Sequence, residues 1–412
     1  MNGGGARCVP AYSWCHNLGM SHQLLVADVL ARVEAVREDM VDVRRDLHTH
    51  PELGWHEVRT TELLEKRLVE AGLSPRVLPT GTGLICDIGS GDTCVALRAD
   101  IDALPVPDGV EAPWRSTLDG VAHACGHDVH TSALLGAALV LAGMARDGQL
   151  DRRVRVIFQP AEEVMPGGAL GVIAAGGLDG VRRIYGVHCD PRLQVGQVGL
   201  RVGALTAAAD RILVRLTGPG GHTSRPHLTA DLVYALATLV SELPAALSRR
   251  VDPRAGMSLV WGRITSGSAA NAIPSRGEAE GTLRCLDANA WRLAEELIPS
   301  LAAQIVRPYG VAVDTEVTHG VPPVVNDATA ISVLQNAVQQ TLGASALAPT
   351  DQSLGGEDFA WYLEDVPGAM ARLGVRPPTQ ENAADLHTPG FDPSEEAITV
   401  GTTLLTTTAL LD

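Results

Sequence analysis

The sequence predicts an α/β fold in which a catalytic domain on a mostly parallel sheet carries an inserted ferredoxin-like α+β domain. Three observations predict it. Short apolar runs alternate with helical periodicity through the first half of the chain, as βαβ units require. Between about residues 203 and 318 the rhythm becomes strand, helix, strand, strand, helix, strand. Segments rich in His, Cys and acidic side chains lie on both sides of that stretch, so the chain leaves one domain, builds another and returns. Its 412 residues also exceed the usual size of a single core.

Taken in order, residues 1–20 are interrupted by Pro, Ser and Tyr between Cys8 and Cys15, without the continuous apolar segment of a signal peptide. They are expected to form a disordered leader, with Met20 an alternative start. The expected catalytic domain comprises residues 21–202 and 319–412, and the insertion residues 203–318. From His22 to about Ala71 the pattern is helical. A first amphipathic stretch ends near Leu47 and a second runs from about Thr60 to Glu70, closed by Gly72, with the turn His50-Pro51-Glu52-Leu53-Gly54 between them. Strands are then expected from Gly83 to Ile88, Cys94 to Arg98, Val154 to Phe158 and Arg183 to Val187. Helices are expected from Thr131 to Ala145 and around Ala169 to Ala175. In the insertion, strands are expected over 211–216, 257–264, 278–284 and 311–317, and helices over 230–247 and 290–306.

Composition narrows the function. A formal charge of −16 argues against a nucleic-acid partner, which needs clustered Lys and Arg. Seven Cys, spread from Cys8 to Cys285, lack the spacing of a secreted disulfide scaffold. Reduced thiols in a cytoplasmic protein are the expectation. No run of about 18 apolar residues points to a membrane span.

Five segments concentrate metal-binding side chains: Asp100-Ile101-Asp102, Cys125-Gly126-His127, Glu162-Glu163, His188 and His387. The first, third and fourth follow expected strands, and open α/β sheets bind ligands beyond the carboxyl ends of their strands. Gly126 separates Cys125 from His127, so both side chains can reach one point. A thiolate with imidazoles and carboxylates suits Zn, Mn, Co or Ni better than Mg or Ca. Adjacent carboxylates leaving a strand point apart, so one of Glu162 and Glu163 can bind metal while the other faces a reacting water. Asp100 and Asp102 share a side of an extended segment and can either ligate or orient imidazoles. Alone, Cys125, His188 and His387 each read as ordinary structural residues.

Together with Arg45-Asp46-Leu47-His48-Thr49-His50-Pro51-Glu52-Leu53-Gly54, Gly220-Gly221-His222, Asn271-Ala272-Ile273-Pro274, Gly281-Thr282-Leu283-Arg284 and Gly356-Glu357-Asp358-Phe359, these segments make the chain resemble a known family. It is the amidohydrolase branch of the two-metal aminoacylase and carboxypeptidase family, with its hippurate, N-acyl-amino-acid and auxin-conjugate hydrolases. The resemblance covers nearly all of residues 41–411. It implies two divalent ions held by Cys125, His127, Glu163, His188 and His387, with Glu162 as general base and acid. The wider family has His-x-Asp at Asp100-Ile101-Asp102 and an Asp at Cys125. That leaves open whether Asp100 touches metal and gives Asp102 a supporting role. The resemblance further implies a lid and dimerisation role for the insertion, with His222, Asn271 and Arg284 contacting substrate and His222 reaching a partner's site in a homodimer. The expected activity is hydrolysis of a small-molecule amide of the N-acyl-amino-acid kind. A metallo-exopeptidase would use the same groups, and an inactive metal- or ligand-binding protein is the alternative of another class.

Overall fold

The positions of the site residues follow from how strands and helices alternate along residues 12–412, which the computed structural model describes, with side chains described from Leu24 onward. Helices α1 (Tyr12–Thr49) and α2 (Val58–Glu70) precede β1 (Leu84–Gly89), β2 (Cys94–Asp100), α3 (His127–Arg146), β3 (Arg153–Gln159), α4 (Ala169–Ala174) and β4 (Val181–Gln194). Next come β5 (Ala208–Thr217), α5 (Leu232–Leu247), β6 (Ser258–Ser266), β7 (Arg276–Cys285), α6 (Ala288–Val306) and β8 (Ala312–Val321). The chain closes with α7 (Ala328–Thr341), α8 (Ala360–Asp365), β9 (Gly368–Arg376) and α9 (Glu396–Leu411). Of the expected leader, residues 1–11 lie outside the described residues, and α1 runs through residues 12–20.

The large sheet has the order Arg76–Val77, β1, β3, β2, β4, β9, Val198–Gly199, Leu347–Ala348. Its centre, β3-β2-β4-β9, is parallel, while β1 joins β3 antiparallel. Both faces are covered, so the central strands read as continuous apolar runs, all seven residues of β2 being buried. Leu97, Leu134, Leu135, Leu373 and Leu404 fill one face, under α3 and α9. Ile157, Ile184, Met370, Val172 and Tyr362 fill the other, under α4 and α8. Helix α3 is apolar and long enough to cross a bilayer by length and composition. It is 83% buried inside the protein over its apolar window, which identifies it as a core helix. The five described cysteines, Cys86, Cys94, Cys125, Cys189 and Cys285, are free and buried.

Two boundaries differ from expectation in ways that matter to the site. Strand β4 does not stop at Val187 but continues to Gln194, because β9 pairs with it through Cys189 and Asp190. His188 therefore sits inside a strand, not at its exit. The apolar pattern ends at Val187, and pairing with a neighbour carries the polar residues on. Helix α3 begins at His127 rather than Thr131, because Gly126 adopts φ 86° and turns the chain into the helix.

The second sheet has the order β6-β7-β5-β8, entirely antiparallel, with α5 and α6 packed through Leu236, Leu239, Ile298 and Leu301. This is the ferredoxin-like arrangement. Asp231 and Asp287 start its helices by accepting from the backbone N–H of Tyr234 and Ala290, at 3.2 and 2.8 Å.

Candidate active site

Three loops and one strand bring the expected ligands together at the carboxyl ends of β2 and β3. Gly126 must be glycine there for two reasons. Its φ is positive, and a Cβ would lie 2.7 Å from the Cys189 Sγ. The turn presents Cys125 and His127 side by side. His127 donates from Nδ1 to the Asp102 carbonyl at 2.9 Å and lies 3.2 Å from Asp102 Oδ1, so in the neutral ring the lone pair is on Nε2. That Nε2 is buried and has no hydrogen-bond partner. His188 donates from Nδ1 to the Cys189 carbonyl at 2.8 Å, and its Nε2 is 3.6 Å from Cys125 Sγ. His387, at φ 61°, is held by its own N–H to the Ala124 carbonyl and points Nε2 to Glu163 Oε1 at 3.1 Å.

Glu162 and Glu163 owe their separation to backbone geometry. Ala161 has φ 53°, costly for a residue with a Cβ, and the buried Glu57 carboxylate accepts its N–H at 2.7 Å. Asp102 Oδ2 accepts the N–H of Glu163 at 2.9 Å, so one aspartate orients both His127 and Glu163. Asp100 is engaged elsewhere, with Arg98 at 2.7 Å and His130 Nδ1 at 2.6 Å. Arg98 also pairs with Asp358 at 2.8 Å and Gln159 at 2.9 Å, and His130 Nε2 accepts the Cys189 N–H at 2.8 Å. The base of the site is thus a buried polar network whose members Arg98, His130, Gln159, Glu357 and Asp358 received no individual role from the sequence. The signals were present: His130 lies one turn beyond His127, and Glu357-Asp358 forms part of a matched motif.

The donors form two triads that share Cys125: Cys125 with His127 and His188, and Cys125 with Glu163 and His387, each within 4.8 Å. Their chemistry calls for positive charge. Burial disfavours charge on His127, yet Asp100 and Cys125 beside it drive its pKa well above the usual histidine range. Burial pushes the Cys125 thiol up, so a thiolate there needs a cation next to it. Divalent transition metals fit this set of one sulfur, three imidazoles and one carboxylate, and the unpartnered His127 Nε2 fits a ligand lone pair. Burial first, then Glu357 and Glu163, push Glu162 well above the usual carboxylate range, the direction a proton carrier requires.

A cavity of about 300 Å³ opens on Cys125, Glu162, Glu163, His188 and His387, and Arg284 of β7 and Arg372 of β9 also line it. The second sheet thereby contributes to the site within one chain. His222 and Asn271 do not line this cavity. They lie exposed beside each other, where Gly221–His222 pairs with Ala272–Ile273.

A small cavity walled by cation-seeking donors, with the buried Glu162 carboxylate among them, is the kind of site a metal-dependent hydrolase needs. Peptidase family M20/M25/M40 is the family to which the chain belongs, its model matching residues 96–411. A Rhodococcus jostii protein named for a glutamate–cysteine ligase is 48% identical over 92% of this chain. The match covers only 47% of that protein, so the chain spans about half the length of this relative. The N-acetyl-L-cysteine deacetylase of Bacillus subtilis is 37% identical over 89% of this chain and 86% of its own. Among solved structures, the Bacillus subtilis YXEP protein, described as a dinuclear metal binding peptidase from the M20 family, is 33% identical. It superposes with a TM-score of 0.79 over 92% of this chain and 99% of its own.

Proposed function

We propose that this chain is a metal-dependent amidohydrolase that cleaves the amide bond of N-acyl amino acids or similar small amides. The observation that carries the reading is the pair of triads meeting at Cys125, one of them including the buried, unpartnered His127 Nε2, beside a cavity lined by Cys125, His188, Glu163, His387 and the buried Glu162. Two divalent ions, of Mn, Zn, Co or Ni, would be held by Cys125, His127, Glu163, His188 and His387. When bound they would supply a Lewis acid for the carbonyl and acidify water. Asp102 holds His127 and Glu163 in position. Glu162 takes a proton from water as its oxygen bonds to the amide carbon, then delivers that proton to the departing nitrogen as the C–N bond breaks. Arg284 receives the substrate carboxylate through its two-donor fork. In this reading the domain spanning residues 203–318 acts as lid and dimerisation unit, and His222 and Asn271 complete the site from a second copy. Their exposure beside each other supports that arrangement. The deacetylase name of a relative covering most of this chain supports the substrate class.

The test is Glu162→Gln. Turnover of N-acetyl and N-benzoyl amino acids should fall by roughly 10²–10⁴-fold, the usual worth of a general base, while metal content by elemental analysis stays at the wild-type value. Retained turnover would remove Glu162 from the role. Hydrolysis of unblocked dipeptides in place of N-acyl amino acids would move the assignment to an exopeptidase.

A further inference from the structure

Four arginines are buried among the described residues, and three spend their charge on carboxylates. Arg44 pairs with Asp128 at 2.8 Å, Arg98 with Asp100 at 2.7 Å and Asp358 at 2.8 Å, and Arg155 with Asp87 at 2.7 Å. Arg372 differs. It is 6% exposed, its Nε is buried without a hydrogen-bond partner, and it forms no ion pair among the described residues. The carboxylates that act on it electrostatically, Glu357 and Asp190, form no ion pair with it, although Glu357 Oε2 is itself buried without a hydrogen-bond partner among the described residues. Glu357 Oε1 accepts the Phe359 N–H and faces Arg98, while both oxygens of Asp190 are taken by Arg192.

A buried guanidinium without a counter-ion is costly, and proteins pair such charges or use them. The place of Arg372 decides between these. It stands in the middle of β9, in register with the proposed ligand His188 of β4, and lines the same cavity as Cys125, Glu162 and Arg284. Arg284 likewise makes no ion pair among the described residues. One cavity of about 300 Å³ therefore holds two unpaired guanidinium groups beside the reaction site, one from each sheet. A substrate with a single carboxylate satisfies only one of them.

We propose that Arg372 is a specificity residue that selects amides carrying a second carboxylate, in addition to the one Arg284 receives. The inference rests on the amidohydrolase reading. A carboxylate placed on Arg372 gains charge-assisted, paired hydrogen bonds, whereas a neutral group there leaves the guanidinium unpaired. The second carboxylate can sit on the amine half of the substrate, as in an N-acyl acidic amino acid, or on the acyl half, as in a succinyl amide.

The experiment uses the metal-loaded enzyme and two pairs that differ in one carboxylate: N-acetylglutamate against the isosteric N-acetylglutamine, and N-succinylalanine against N-butyrylalanine. In the wild type, kcat/KM should favour the dicarboxylate of at least one pair by about tenfold or more, and the favoured pair identifies which half carries the charge. Arg372→Gln should collapse that ratio toward one, and Arg372→Lys should restore part of it. A ratio equal in wild type and Arg372→Gln overturns the proposal, because a residue with a merely structural role lowers both members together. Calorimetric binding of glutarate and of butyrate to the same proteins keeps the two readings separable. If no amide is turned over, the amidohydrolase reading fails. The proposal still stands or falls on whether Arg372→Gln lowers the glutarate to butyrate affinity ratio by about tenfold.

Discussion

The histidine at the end of α1 should make this protein measurably weaker in alkali, by an amount the structure sets. His48 is buried, with Nδ1 2.8 Å from Asp128 Oδ2 and Nε2 3.3 Å from Asp108 Oδ2. Burial lowers its proton affinity, but the bonds to Asp108 and Asp128 outweigh this and raise its pKa to about 9. In an unfolded chain the value is about 6.5. Because the folded value is the higher one, the folded state keeps the proton that the unfolded state releases. The stabilisation is complete below pH 6.5 and is lost as the pH rises through about 9. A rise of this size corresponds to about 3 kcal/mol, a large share of a typical stability. The interaction is counted once, from the histidine, although both aspartates are correspondingly lowered. The assay is denaturant unfolding of metal-loaded wild type and His48→Gln at pH 6, 7, 8, 9 and 10. Wild-type stability should fall by about 3 kcal/mol more than that of the variant across the series. Parallel curves would refute the reasoning, since they would mean that His48 holds no extra proton in the fold.

Gly126→Ala places a Cβ 2.7 Å from the Cys189 Sγ at a positive φ. It should cost roughly 2 kcal/mol or more of stability and reduce metal content, read by thermal unfolding and elemental analysis. Mixing inactive His222→Ala with inactive Glu162→Gln should restore activity if His222 serves the site of a second copy. In demonstrably mixed dimers, a failure to complement would place His222 outside the reaction.

The sequence revealed the parts of the site that are carried by contiguous segments. Cys125-Gly126-His127 and Glu162-Glu163 were legible because one turn or one strand end presents both side chains, and the local chain alone determines that geometry. The helices of the second sheet were legible from apolar periodicity, while the Asp231 and Asp287 caps that start them emerged only with the structure. His188 was assigned to the site but to the wrong local setting, because β4 owes its polar continuation to β9, some 180 residues away. The buried base was illegible for a related reason. Arg98 and Arg372 each interrupt an apolar strand, and nothing local distinguishes a charge that meets Asp358 across the sheet from one that meets no partner. Asp100 and Asp102 show the same limit. Two residues apart on one segment, they have different work, and only the positions of His130 and His127 on α3 separate them.

The central claim is a two-metal site that pivots on Cys125, and counting ions in three proteins tests it most directly. Elemental analysis of metal-loaded wild type, Cys125→Ala and His387→Ala should give two ions per chain in the wild type. His387→Ala should retain the ion of the Cys125, His127 and His188 triad while losing the other, and Cys125→Ala should retain neither fully. Two tightly held ions in Cys125→Ala, or a wild type that binds only one, would contradict the account.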